Sequence, residues 1–173
     1  MYLIVDYKKH FYYIGVKRNF VTPFNALCLI KPENRNDADV CVEWEAKTVD
    51  DREDVFHLTM LSPSGTLHIL STAVPALFTC LPTPLAITPY DSANPQEQRW
   101  YIRWKPDGGR LAAVPSWAQA PQTYLHVYII RSSMCDSIDP LELLLHRVTV
   151  TPCVEDATYV QLQEFPLDAH GIK

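Results

Sequence analysis

The sequence predicts an all-β domain. Short runs of aromatic and β-branched residues, which favour strands, recur along the 173 residues. The 14 prolines break the chain into segments that disfavour long helices. Turn signals separate the runs, which is typical of an all-β sandwich or barrel. Hydrophobic residues make up 47% of the chain, enough for a sizeable core in a single domain over residues 1–173.

Eleven segments have the composition or the alternation of a strand. The clearest is Arg99–Lys105, where Trp100, Ile102 and Trp104 recur with the period of two that places them on one face. Pro106–Gly109 follows and predicts a tight reversal, because Pro presets φ and Gly supplies the positive φ of a hairpin turn. In chain order the predicted strands are the aromatic His10–Arg18, the apolar Ala26–Lys31, the Trp-centred Asp39–Lys47, Val55–Leu61, Thr66–Leu70, Leu85–Thr88, Arg99–Lys105, Leu111–Val114, the β-branched and aromatic Thr123–Arg131, Leu143–Thr151 and the alternating Tyr159–Phe165.

One segment, Asp139–His146, has a helical pattern. Asp139 can cap its N-terminus, Pro140 follows at the first helical position, and Leu recurs after it. The sequence therefore predicts at most one short helix.

Charge and hydropathy exclude several classes of partner. The net charge is −5 and no dense run of Lys and Arg occurs, which argues against nucleic acid. No apolar run approaches the roughly 18 residues of a membrane helix. The N-terminal apolar run extends only from Tyr2 to Val5 before Asp6, which is not a secretory signal. We therefore expect a cytoplasmic protein.

The sequence shows little sign of catalysis. It contains no nucleophile elbow, HExxH, phosphate-binding loop or dinucleotide glycine pattern. Its six histidines lack metal-ligand spacing, and its five cysteines form no CxxC pair, so reduced thiols are expected rather than a zinc site or a disulfide framework. These features predict a protein that is not an enzyme and needs no metal or cofactor.

Two segments indicate an internal repeat. Val42–Lys47 and Arg99–Lys105 are both Trp strands that precede a polar turn and a short apolar strand. Trp44 and Trp100 are 56 positions apart, close to one third of the chain. We expect both to be buried at equivalent positions of two pseudo-repeats, with a weaker third unit between Tyr124 and Phe165.

The repeat, together with the Gln98-Arg99-Trp100 step before a turn, resembles the β-trefoil fold, with three pseudo-repeats of about four strands. Within that fold, the opening aromatic strand FYYIGVKR, the mid-chain QRWYIRWK and the VYIIR strand at Val127–Arg131 resemble the mycocypins, fungal inhibitors of cysteine proteases.

The resemblance implies a protease as partner and inhibition of papain-like cysteine proteases. Rigid loops would occlude the active-site cleft, with little entropy to lose on docking. By position, the loops would be Asn19–Asn25 and Thr48–Asp54. The expected inhibitory residues are Phe20, Val21, Pro23, Phe24, Asp50, Asp51 and Arg52.

Two alternatives remain open at this point. A ricin-B-like lectin of the same fold would bind a glycan with a planar side chain and an Asp near a Trp strand, for which Asp91, Asn94 and Trp117 are the candidates. A structural β protein, such as a capsid or adaptor component, would use the apolar, proline-rich Ser71–Pro89 as a subunit contact.

Overall fold

The computed structural model describes residues 1–7, 9–17, 27–49, 52–62, 65–72, 83–91, 93, 101–114, 122–130, 145–151, 155 and 157–167. Within these residues the chain forms strands and one short 3₁₀ turn, Pro32–Asn34, which confirms the all-β prediction. The strands are β1 (Tyr2–Tyr7), β2 (His10–Lys17), β3 (Leu27–Ile30), β4 (Val40–Cys41), β5 (Glu45–Val49), β6 (Arg52–Leu61), β7 (Leu67–Thr72), β8 (Thr83–Pro89), β9 (Arg103–Asp107), β10 (Arg110–Val114), β11 (Thr123–Ile130), β12 (Leu145–Thr151) and β13 (Val160–Gln163).

The observed strands differ from the predicted ones in several places, and the predicted strand Asp39–Lys47 is divided between β4 of one sheet and β5 of the other. β1 was not predicted, because its apolar run was read only as too short for a signal sequence. The hairpin turn is shorter than expected: Pro106 and Asp107 belong to β9, and only Gly108 and Gly109 form the turn. Of the predicted helix, Leu145 and His146 lie in β12, and its earlier residues lie outside the described part of the chain.

The described strands form two antiparallel sheets. The first has the order β13-β1-β2-β3, and β4 pairs with the end of β2. The second has the order β5-β6-β7-β8-β12-β11-β10-β9. Val5 pairs with Val160, so the first and last described strands lie side by side.

The second sheet closes on itself. β6 pairs with β7 and also with β9, through Phe56 opposite Trp104. The strands from β6 through β7, β8, β12, β11, β10 and β9 therefore form a ring, and β5 lies outside it against β6. This closure places the tip of the β9–β10 hairpin near the beginning of β6.

Both sheets contribute to one hydrophobic core. Leu3, Ile14 and Val160 of the first sheet pack in the same cluster as Phe56 and Trp104 of the second. A smaller cluster on the other face of the first sheet contains Ile4, Tyr13, Ile30, Val42 and Leu167. Since β13 belongs to the first sheet and Val160 N donates to Gly109 O at 2.8 Å, the β9–β10 turn lies where the two sheets meet.

The two described tryptophans are both buried but differ in polar contacts. Trp44 was predicted to be buried, and its Nε1 donates to Ile14 O at 2.8 Å. Trp104 has no accessible surface, and its Nε1 has no hydrogen-bond partner within the described residues. Trp100, the expected repeat partner of Trp44, lies outside the described residues.

This difference in hydrogen bonding predicts that two matched substitutions lower the free energy of unfolding by different amounts. Trp44→Phe and Trp104→Phe remove similar volumes, but only Trp44→Phe leaves a buried carbonyl without its donor, at a cost of about 1–3 kcal/mol. Urea unfolding followed by circular dichroism should therefore show Trp44→Phe to be the less stable variant. Equal midpoints, or a less stable Trp104→Phe, would contradict the assigned hydrogen bond.

Candidate functional site

One of the expected inhibitory residues lies in the described part of the chain. Arg52 is that residue: it begins β6 and forms two hydrogen bonds with the carboxylate of Asp54, at 3.0 and 3.2 Å. These hydrogen bonds hold the pKa of Asp54 below its usual value, but both side chains are exposed and such pairs stabilise a fold little. The residues that lie outside the described part of the chain are Phe20, Val21, Pro23, Phe24, Asp50 and Asp51.

The strand positions that flank the two expected inhibitory loops lie at opposite ends of β6. The first loop follows β2, whose Val16 pairs with Cys41, and Cys41 Sγ lies 3.4 Å from the carbonyl oxygen of Leu61. The second follows Val49, which pairs with Arg52, so only residues 50–51 connect β5 and β6. Arg52 and Leu61 are the two ends of β6, about 30 Å apart at the usual rise per residue.

Asp91 is the one expected sugar-binding residue that the structure describes; Asn94 and Trp117 lie outside it. Asp91 is exposed, and its Oδ1 accepts a hydrogen bond from the Ala93 amide at 2.9 Å. Its own amide donates to the hydroxyl of Tyr101 at 3.0 Å. Asp91 is thus hydrogen-bonded within its own turn and to Tyr101, which lies two residues before β9.

The planar residues beside Asp91 already pack against one another. The Tyr90 ring lies 5.4 Å from the Tyr101 ring and 6.0 Å from the His57 ring. The Nζ atom of Lys47 lies 5.4 Å from the Tyr90 ring centroid, a cation–π contact. Because these neighbours already occupy the Tyr90 ring, the cluster holds the end of β8 against β5 and β6 and offers little ring surface to a ligand.

A more exposed group of polar and aromatic side chains lies at the tip of the β9–β10 hairpin. Gly108 and Gly109 have φ values of 56° and 79°, the positive values that a two-residue type I′ turn requires. A Cβ atom on Gly109 would lie 3.3 Å from Cδ1 of Tyr159, tighter than ordinary contact. Glycine at this position therefore serves the turn and also lets the Tyr159 ring lie against the backbone.

Tyr159 presents its ring to solvent from a fixed position. Its side chain is 59% exposed, although Thr158 N donates to Leu125 O and Val160 N donates to Gly109 O. The Arg110 guanidinium carbon lies 4.4 Å from the ring centroid, and Nη2 donates to the Tyr159 hydroxyl at 2.8 Å. The ring is thus anchored through its backbone neighbours and through Arg110.

Asp107 lies next to this pair but is held by other groups. Its Oδ2 accepts hydrogen bonds from Gln122 Nε2 at 3.2 Å and from the Tyr124 hydroxyl at 3.1 Å. Burial, followed by the hydrogen bond to Asp107, raises the pKa of Tyr124, so the phenol stays protonated and can donate. We call Asp107, Arg110, Gln122, Tyr124 and Tyr159 the hairpin-tip site.

The two charged residues of this site are close in the fold and yet do not form an ion pair. Asp107 and Arg110 are partners across the hairpin, but the structure records no contact of 4.0 Å or less between their charged groups. The Nε atom of Arg110 is shielded from solvent and has no hydrogen-bond partner among the described residues. The site therefore presents an acceptor and a donor side by side. Because its Nε is shielded, Arg110 can donate to a ligand only through its Nη atoms, of which Nη2 already donates to the Tyr159 hydroxyl.

Local sequence patterns predicted the turn at Pro106–Gly109 but not this site. Asp107 was read only as a turn residue, and Gln122, Tyr124 and Tyr159 come from segments that the fold alone brings to the hairpin. The one local signal was the exposed position that alternation assigns to Tyr159 at the start of the last predicted strand.

Comparisons with known proteins identify no relative. No family model matches the chain, and no curated protein or solved structure matches it either. In the described ranges, no group of three or more His, Cys, Asp or Glu side chains could hold a metal ion. Nor does any helix in these ranges have the length and hydropathy of a membrane span. The resemblance to mycocypins stays a prediction.

The described cysteines carry free thiols, and burial suppresses the reactivity of one of them. Burial raises the pKa of Cys28 to about 12, whereas Cys41 is half-buried and its pKa is raised by the same cause. At pH 8, Cys28 should therefore hold about a thousandfold less thiolate than an ordinary thiol.

Iodoacetamide labelling of the native protein at pH 8, read by peptide mass spectrometry, should modify Cys41 well before Cys28. Labelling in urea should remove the difference. Rapid native labelling of Cys28 would show that the thiol is accessible and that the packing of β3 is wrong.

Proposed function

We propose that this protein acts by binding, without catalysis, and that the hairpin-tip site binds a carbohydrate. The observation that carries the proposal is the pair of Asp107 and Arg110, which lie side by side on the hairpin and are not joined by an ion pair. Neighbouring hydroxyls of a sugar can each donate and accept a hydrogen bond. One can donate to the carboxylate while the next accepts from the guanidinium, and both charge-assisted bonds are stronger than neutral ones.

The exposed ring of Tyr159 supports a sugar in preference to a small ion. A sugar ring has an apolar face of C–H groups beside its hydroxyls, and ligand sites combine apolar surface with a few placed polar groups. Tyr159 supplies the apolar surface, and Gln122 and Tyr124 add two further hydrogen-bonding groups beside Asp107. An aromatic ring anchored in this way loses little entropy when a ligand docks.

This proposal keeps the chemistry of the lectin alternative and changes the residues. A planar side chain and an Asp near the Trp strand were expected at Asp91, Asn94 and Trp117. Here Asp107 ends the Trp104-containing strand β9, and Tyr159 lies against Arg110 of the paired strand β10. The proposal depends on these local contacts and holds whether or not the chain has the three-fold repeat of a β-trefoil.

Inhibition of papain-like proteases is the second candidate function, and it assumes that the chain has the proposed β-trefoil fold. One observation favours it: β2 and β3 pair as far as Val16 opposite Leu27, so the connection between them begins and ends on adjacent, buried strand positions. A firmly held base suits an occluding loop. Because Val49 and Arg52, which flank residues 50–51, lie at the other end of β6 from Leu61, this candidate assigns the main contacts to the first loop.

The carbohydrate proposal predicts the effect of removing one ring. Tyr159→Ala should weaken binding to the best ligand of a glycan array at least tenfold, or about 1.4 kcal/mol, by isothermal titration. Leu61→Ala is the matched control, because Leu61 is 61% exposed and lies at the far end of β6 from the site. Equal losses in the two variants, or a wild-type protein that binds no glycan, would rule out this site.

The second candidate predicts a separate result. Replacing Phe20 and Phe24 with Ala should weaken papain inhibition at least tenfold, about 1.4 kcal/mol, and should leave the melting temperature unchanged. Tyr159→Ala, at an exposed residue outside both expected inhibitory loops, serves as the control and should not change inhibition. A wild-type protein that fails to inhibit papain at micromolar concentration would eliminate this candidate.

A further inference from the structure

A row of exposed and half-buried side chains follows the last strand, starting from the hairpin-tip site. Along β13, Val160 is buried in the core and Leu162 packs against it, whereas Gln161 is exposed. Because side chains alternate between the two faces of a strand, Tyr159, Gln161 and Gln163 lie on the other face. Gln163 Nε2 donates to Gln161 Oε1 at 3.0 Å, which shows that these two amides are neighbours on that face.

The row ends in an aromatic residue that is exposed on an anchored segment. Phe165 is 77% exposed, the largest value among the exposed apolar side chains in the described part of the chain. Two residues later, Leu167 is buried, its amide donates to the Tyr13 hydroxyl at 2.6 Å, and Arg35 Nη1 donates to its carbonyl at 2.5 Å. Phe165 is therefore held between β13 and this anchor while its ring faces solvent.

The four residues Tyr159, Gln161, Gln163 and Phe165 form what we call the β13 strip. Its extended part, from Tyr159 to Gln163, spans about 13 Å at the usual rise of a strand, and Phe165 follows in a bend of the chain. Tyr2 borders it: Tyr2 pairs with Gln163, packs on the Tyr13 ring at 5.6 Å and donates its hydroxyl to Glu43 at 2.8 Å. The strip thus places an aromatic ring at each end and planar amides, which donate and accept hydrogen bonds, between them.

We propose that the ligand is a linear, uncharged oligosaccharide that lies along the β13 strip from Tyr159 to Phe165. This inference rests on the carbohydrate proposal and adds the ligand class to it. The amides carry no charge and match hydroxyl groups, and the two rings offer apolar surface to two separated sugar units. An extended chain of several units can reach from Tyr159 past the two amides to Phe165, whereas a single sugar fills only the hairpin-tip site.

The test is the dependence of affinity on chain length. The probes are linear β-1,4-linked glucose and N-acetylglucosamine oligomers, from the monosaccharide to the hexasaccharide, titrated by calorimetry. For the wild-type protein, affinity for the better series should rise at least tenfold between the monosaccharide and the longest oligomer. Phe165→Ala should abolish most of this rise and leave the monosaccharide affinity unchanged, and Gln161→Ala should reduce it. Leu61→Ala should behave as wild type.

The outcomes separate this inference from the carbohydrate proposal. Binding that depends on Tyr159 but not on chain length, or a rise with length that Phe165→Ala and Gln161→Ala leave intact, would overturn the strip and keep the hairpin-tip site. Failure of both series to bind, when a glycan array shows Tyr159-dependent binding to a branched or charged glycan, would also overturn the strip. Absence of any glycan binding would overturn both.

Discussion

The contact between Phe56 and Trp104 is the constraint on which the rest of the structure depends. These residues face each other where β6 pairs with β9, and both belong to the main core. The pair closes the second sheet into a ring, so Trp104 is fully enclosed and the β9–β10 hairpin has a fixed direction. Burial of aromatic residues of this size contributes several kcal/mol each to folding, which makes the closure a cooperative part of the fold.

Closure also explains why the hairpin-tip site can be preorganised. The hairpin is held on one side by β6 and on the other by β11, since Ala112 pairs with Tyr124. The first sheet adds a third support, because Val160 N donates to Gly109 O. Asp107 and Arg110 thus receive their partners from different segments of the chain: Gln122 and Tyr124 for Asp107, and Tyr159 for Arg110. A site with polar groups already in position binds a ligand with little reorganisation.

Sequence patterns predicted the elements of this fold better than its assembly. Alternation and turn chemistry identified the Trp strand and its hairpin, because both signals are local. They missed β1, a strand that reads only as a short apolar run until β13 pairs with it. The site was beyond local patterns altogether: Asp107 and Tyr159 are 52 positions apart (159 − 107), and only the meeting of two sheets places them together.

The central claim, that ligand recognition occurs at the meeting of the two sheets, can be tested most directly by nuclear magnetic resonance. Amide chemical shifts of the ¹⁵N-labelled protein would be followed during titration with linear oligosaccharides and, in parallel, with inactivated papain. If the ligand binds where the two sheets meet, the amide shifts should saturate with oligosaccharide and should be confined to residues 107–110, 122–124 and 159–165. Shifts that appear only with papain, or that cluster at residues 18–26 or around Asp91, would contradict it.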